Sequence, residues 1–448
     1  MNMPTKLDRS LGLREATALN MIDMVGIGPF IVIPLVIKSM GGPQCLLAWA
    51  VGAILALVDG CIWAELGAAM PEAGGSYVYL RECYGPMRWG RLLSFLVIWQ
   101  TIFQAPLVMA SGSIGFAEYF TYLHKMGPYG QKAVAGGVVI VLAVLLYRRI
   151  GAVGKISVLL WVGVIGTIVW LIAAGATHFH SRLAFDFPAG AWRLNWLFFA
   201  ALGSATVQTI YTYWGYYNVC FLGGEIEQPQ RNIPRAIFIS IIAIAVLYLA
   251  MQACILGVVP WREAQNSPFI VSTFFERIYG TKAADVVTIL ILWIAFASLF
   301  ALTLGYSRIP YAAALDGNFF SIFGRVHPTK HFPHVSLLAL CGVAFVFSLL
   351  FKLATVIAAI AAMRILVQFV GQAIGVILLR RRWSSERLPF RMWLYPIPAI
   401  IAILLWTALF VATGTRMIFG GVAILAGVIV FLARSKGLNQ WPFAEAER

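Results

Sequence analysis

Charge is scarce in this chain. Only 11% of its 448 residues are Asp, Glu, Lys or Arg, against roughly a quarter in a soluble domain. Hydrophobic residues make up 61%, mean hydropathy is +0.85, and the polar stretches between apolar runs are too short to fold into a soluble domain. The six cysteines (Cys45, Cys61, Cys83, Cys220, Cys254, Cys341) contain no CxxC pair, and most lie in or beside apolar runs. They read as packing residues, not as a disulfide or metal framework. HExxH and GxSxG are absent, and the six histidines lie in or near loops without metal spacing. A membrane enzyme would lack its machinery, and no cofactor is expected. The net charge of +15 would suit nucleic acid if it were gathered into one patch. It is instead divided among the segments between apolar runs, so the expected partner is a lipid bilayer and not nucleic acid.

What the chain has is apolar length. Long apolar runs recur from end to end, which predicts an all-α integral membrane protein of twelve spans. They are placed at 16–38, 44–69, 92–123, 131–148, 154–176, 196–222, 233–259, 283–315, 335–351, 354–380, 394–413 and 417–434. The first run is too long for a signal peptide and lacks a small-residue cleavage site, so it reads as a retained span. With the N-terminus inside, 22 of the 33 Lys and Arg fall on the inner side, 10 on the outer, and Arg364 within a span. That bias predicts a multi-pass protein of the inner or plasma membrane with both termini cytoplasmic.

The first run carries Gly26-Ile27-Gly28-Pro29 at its centre. Glycine and proline weaken a helix there, and freed backbone groups survive in a bilayer only when buried in protein or facing a wet cavity. Two half-helices meeting at a binding site are therefore expected. The sixth run has a second candidate break in Tyr211-Thr212-Tyr213-Trp214-Gly215-Tyr216-Tyr217-Asn218. Five spans separate the two starts, so 16–176 and 196–380 read as two repeats of opposite orientation. Two further helices at 394–434 and tails at 1–15 and 435–448 complete the chain. Paired interruptions at matching positions of two halves point to a transporter site.

The stretch Glu65-Leu66-Gly67-Ala68-Ala69-Met70-Pro71-Glu72-Ala73-Gly74-Gly75-Ser76-Tyr77-Val78-Tyr79-Leu80 closely resembles a signature of the amino acid–polyamine–organocation superfamily of transporters. The break at Gly26–Phe30 and the run from Gly224 to Ala236 resemble two further motifs of that superfamily. Gly154-Lys155 resembles a lysine motif of its sodium-independent members. The resemblance covers the first ten helices and is similar to L-type amino acid transporters and polyamine uptake transporters. It implies a LeuT-like 5+5 inverted repeat with discontinuous helices 1 and 6, two added helices, and substrate held between the breaks. Pro29 and Trp214 depart from the usual aliphatic residue and glycine.

Broken helices offer amides at one end and carbonyls at the other, which suits the two charges of an amino acid. The expected substrate-binding residues are Val25, Gly26, Ile27, Gly28, Pro29, Tyr211, Tyr213, Trp214 and Gly215. The outer half of helix 1 should begin near Gly28–Pro29 and direct its amides at the carboxylate. Tyr211 is expected to gate the outer path, with an interfacial tyrosine as the alternative. Lys155 is expected to replace a sodium ion between helices 1, 5 and 8, or else to snorkel to the surface. Asp23 is a candidate for the substrate amine or a coupling proton. Asp59 is expected to pair with a helix or sit near cytoplasmic water and Glu118 to be solvated; Arg364 is expected to form an ion pair with one of these acids, or else to approach a substrate carboxylate. Glu65 and Glu72 should join Arg81 and Arg88 in an inner gate, and Glu225 and Glu227 should do the same with Arg231 and Arg235. The 76–91 stretch reads as an amphipathic surface helix.

These expectations describe a sodium-independent amino acid transporter, a permease or exchanger with possible proton coupling, working by alternating access on neutral side chains. A polyamine transporter is the first alternative; its pocket needs several acids, and position 217, where the polyamine relatives carry one, is tyrosine here. A transporter-like nutrient sensor is the alternative of another class.

Overall fold

The computed structural model describes residues 7–350, 364–412, 414 and 417–443. The start of the span expected at 354, and Lys6, Lys352, Arg416 and Arg448, lie outside them. The described residues form helices and turns, with no β-strand among them and two isolated bridges, Leu11–Ile226 and Ala73–Leu222.

The first apolar run is two helices, α1 (Leu13–Met24) and α2 (Gly28–Met40), bent by 45° across the glycines. Helices α3 (Leu46–Ala69), α4 (Ser76–Tyr84), α5 (Trp89–Leu123), α6 (Pro128–Leu146) and α7 (Ile150–Thr177) follow. Next come α8 (Trp196–Tyr213), a turn over 214–217 and a helical turn at Asn218–Phe221. The remainder comprises α9 (Pro229–Val258), α10 (Ile270–Tyr279), α11 (Thr281–Tyr306), α12 (Arg308–Leu315), α13 (His334–Leu350), α14 (Gly371–Arg382), α15 (Ile397–Ala412) and α16 (Met417–Gly437). A π-helical turn, Ile365–Val370, leads into α14. Seven helices among the described residues are long and apolar enough to cross a membrane, and the bent α1–α2 pair makes an eighth.

The two broken segments are the centre of the packing. Helix α1 lies against α7, α9 and α11, while α2 packs on α8 and α3 packs along α9. In α1 every residue from Ala16 to Ile22 is buried. This explains why its polar Asn20 must find a protein partner. The Asn20 amide donates to the Tyr216 carbonyl at 2.6 Å, and its oxygen accepts from the Val219 amide at 2.9 Å. One side chain thus ties the first broken helix to the second.

At the end where the charge bias puts the cytoplasm, the amides of Ser10 and Leu11 both donate to the Glu225 carbonyl at 3.1 Å. The Gly74 amide donates to the Phe221 carbonyl at 3.0 Å. Helix α4 differs from its expected surface placement. Tyr77, Val78, Tyr79, Leu80 and Cys83 are buried because α4 packs between α5 and α14.

Candidate binding site

A cavity of ≈ 90 Å³ lies where the two breaks meet. Its wall includes Asp23, Met24, Gly26, Ile27, Gly28 and Pro29 from the first break. The second contributes Tyr211, Thr212, Trp214, Gly215 and Tyr217. Ser111 of α5, Ser298 and Tyr306 of α11, and Arg364 complete its polar lining.

The local sequence accounts for both openings. Helix α1 ends at Met24 and α2 starts at Gly28, with Pro29 in a first turn that does not need its missing N–H. Ile27 precedes α2 and supplies no side-chain cap, leaving the positive end of that helix at the cavity edge. At the other break Gly215 has φ of 121°, and a Cβ there would lie 2.6 Å from the Met24 nitrogen. Only glycine lets the second break approach the end of α1 this closely. Gly26 has a similar role, since a Cβ would fall 2.7 Å from Ser298 Oγ.

Carbonyls released by the breaks are partly satisfied from within. Tyr248 Oη donates to the Met24 carbonyl at 2.8 Å and also reaches the Thr212 carbonyl at 3.2 Å. Ser298 Oγ donates to the Asp23 carbonyl at 3.3 Å. A single tyrosine therefore serves the ends of both α1 and α8.

Two expected binding residues lie off this wall. Val25 is fully buried in the packing behind the bend. Tyr213 turns away from the cavity, donating its hydroxyl to the Trp49 carbonyl at 3.2 Å and packing edge-on against Tyr248. Tyr211 is in place, with its ring beside Gly28 and its centroid 5.6 Å from that of Trp214.

Lys155 departs from the geometry expected of it. Its side chain is exposed and makes no hydrogen bond to the α1 carbonyls among the described residues. The buried face of α7 carries Val153, Gly154 and Ser157. Gly154 makes the close approach to the start of α1, where a Cβ would sit 2.8 Å from Leu11 Cδ2; the next residue points outward.

The charged pairs also choose other partners. Glu65 takes Arg380 in two bonds of 2.6 Å and accepts from the Met392 amide at 2.8 Å. Glu225 takes Arg308 in bonds of 2.9 and 2.7 Å, with both side chains almost wholly buried. Arg81 keeps the expected contact with Glu72, at 3.7 Å, and adds Asp316 and Glu82. Asp59 is buried and accepts from Tyr216 Oη at 2.5 Å and Trp406 Nε1 at 2.9 Å. Glu118 is exposed. Arg364 has no carboxylate at ion-pair distance among the described residues; its Nε donates to Gln368 Oε1 at 2.9 Å.

Ser111 and Ser298 join this wall without any signal in the sequence, whereas Thr212 and Tyr217 lie in the second candidate break and Arg364 had a substrate carboxylate as one of its two readings. The intramembrane position of Arg364 was the one sequence signal available, and it named no location. No group of three or more His, Cys, Asp or Glu side chains that could hold a metal occurs among the described residues.

Comparison with known proteins gives one family. Its model, described as amino acid permease, matches residues 11–433. The serine/threonine exchanger SteT of Bacillus subtilis is 26% identical over 406 residues, 89% of this chain and 89% of its own. Human cationic amino acid transporter 4 is 26% identical over 86% of this chain and 61% of its own length. The human cystine/glutamate transporter is 25% identical over 89% and 79%.

Proposed function

The chain belongs to the amino acid permease family, and from that premise we propose that it moves amino acids across a cell membrane by alternating access. The observation that carries this reading is the pairing of opposite backbone ends around one cavity. The uncapped start of α2 offers amides to a carboxylate, and Asp23 at the end of α1 offers an anion to an ammonium. These two groups read the part shared by every α-amino acid. The side chain would lie among Leu299, Leu302, the aromatic rings and Arg364, surroundings that admit a neutral side chain, the expectation from the sequence, without restricting the site to one.

The repeat scheme read from the sequence, two five-helix halves with both termini cytoplasmic, supplies the rocking element of this cycle. Tyr211 closes the outer path over the cavity. The ion pairs of Glu65, Arg81 and Glu225 hold the inner path shut, beside a recess of ≈ 610 Å³ lined by Arg9, Glu72, Arg81 and Asp316. Transport runs without sodium, by exchange or proton symport, with Asp23 as the proton acceptor within reach of substrate. Sodium independence rests on the Gly154-Lys155 resemblance alone, because the Lys155 side chain is exposed and does not reach the α1 carbonyls. A polyamine fits less well, because Arg364 sets a cation on the wall of the cavity.

The test is uptake of labelled amino acids into liposomes holding the purified protein, with sodium replaced by potassium and with or without a pH gradient. Equal uptake in both salts is expected. Strict dependence on sodium would overturn the coupling scheme.

A further inference from the structure

Arg364 is 3% exposed, and its guanidinium lies 5.1 Å from the ring centroids of Trp214 and Tyr217. Phe369 and Tyr306 stand at 5.6 and 5.8 Å. Beyond the bond to Gln368, its Nη2 is buried and has no hydrogen-bond partner among the described residues. The neighbouring stretch 351–363, which is not described, contains no Asp or Glu in its sequence.

The other arginines held deep in the protein behave differently. Arg308 and Arg380 are each satisfied by two bonds to one carboxylate. A guanidinium stays protonated at any physiological pH, and a buried charge without an adjacent counter-ion is costly to hold. The surrounding ring faces offset only part of that cost. Asp23 shares the cavity and attracts the guanidinium across it, but no carboxylate of the described residues lies at ion-pair distance from Arg364. The cation is therefore held in the cavity beside Tyr217 with its Nη2 donors unused, an arrangement that suits an incoming carboxylate.

We infer that Arg364 forms a second anion subsite, so that the preferred substrate is an amino acid whose side chain ends in a carboxylate. This rests on the transport reading above. The α-carboxylate goes to the amides of α2 and the ammonium to Asp23. The side-chain carboxylate goes to Arg364, on a different helix and against the Trp214–Tyr217 side of the wall. The order of preference is anionic, then neutral, then cationic side chains.

The experiment uses the full chain in liposomes, with labelled L-glutamate and, separately, labelled L-serine. Competitors are L-glutamate, L-aspartate, L-serine, L-leucine, L-arginine and putrescine. L-Glutamate or L-aspartate should inhibit at concentrations at least tenfold below those needed for the neutral competitors. Arg364→Gln should reduce that ratio at least tenfold, and Arg364→Lys should retain part of it. If no amino acid is exchanged, the transport reading fails. If neutral amino acids exchange and outcompete the anionic ones, transport stands and the subsite is overturned. An unchanged ratio in Arg364→Gln overturns it as well. Should Arg364→Gln fail to give monodisperse protein, the wild-type ranking and Arg364→Lys decide.

Discussion

Gly215 sits where the chain can spare no atom. Its φ of 121° is one that side-chain-bearing residues rarely adopt, and a Cβ would meet the Met24 nitrogen at 2.6 Å and the Asp23 carbonyl carbon at 2.8 Å. Gly215→Ala should therefore abolish uptake and lower stability by about 1–3 kcal/mol, read as exchange in liposomes and as the thermal midpoint in detergent. Gly28→Ala is the control, since its nearest contact would be an ordinary 3.5 Å to the Tyr211 ring; it should fold like the wild type. Tyr248→Phe removes the donor shared by Met24 and Thr212. Leaving a buried carbonyl without its bond costs about 1–3 kcal/mol, so its thermal midpoint should fall although no atom touching the cavity changes. For Tyr211 the ring is the working part. Tyr211→Ala should weaken half-saturation roughly tenfold, a loss of ~1.4 kcal/mol, while Tyr211→Phe stays near wild type. Wild-type affinity and exchange rate in Tyr211→Ala would remove the gate role.

Among the helices, the ends of α1, α2 and α8 form the site, and the buried pairs fix one end of the bundle. Glu225 and Arg308 are 0% and 1% exposed, so removing one partner strands a charge at a cost of about 3–5 kcal/mol. Glu225→Ala should lower the thermal midpoint, and Glu225→Ala with Arg308→Met should recover much of the loss. The breaks were legible in the sequence because glycine and proline act locally. The Gly26–Pro29 stretch leaves α1 and α2 no means of joining, and Gly215 marks the turn after α8. The pairing of charges was not legible. Sequence proximity suggested Arg231 and Arg235 for Glu225, whereas burial selected Arg308 from a distant helix. For Lys155 the motif pointed inward, but the small residue before it takes the contact with α1. Arg364 shows the same limit: a charge within an apolar run announces a role, and only packing against Trp214 and Tyr217 gives its place.

At the scale of the whole molecule, the described residues form a helical bundle with seven helices of membrane-crossing length and a bent pair, around a small cavity with polar groups on a largely apolar wall between two interrupted helices. The cavity wall joins a backbone site open to any amino acid with side chains that choose among them. If the rocking scheme holds, the inner ion pairs must open once per cycle, so weakening Arg81 by Arg81→Gln should shift the protein toward inward-open forms. A cysteine placed at Ser298 should then react faster with a membrane-impermeant thiol reagent added from the inner side. The most direct measurement is a structure determined with a saturating transported amino acid. Ligand density is expected between α1 and α2, its carboxylate at the Gly28 end and its ammonium beside Asp23. Density elsewhere, or helices 1 and 6 running unbroken past an empty centre, would contradict it.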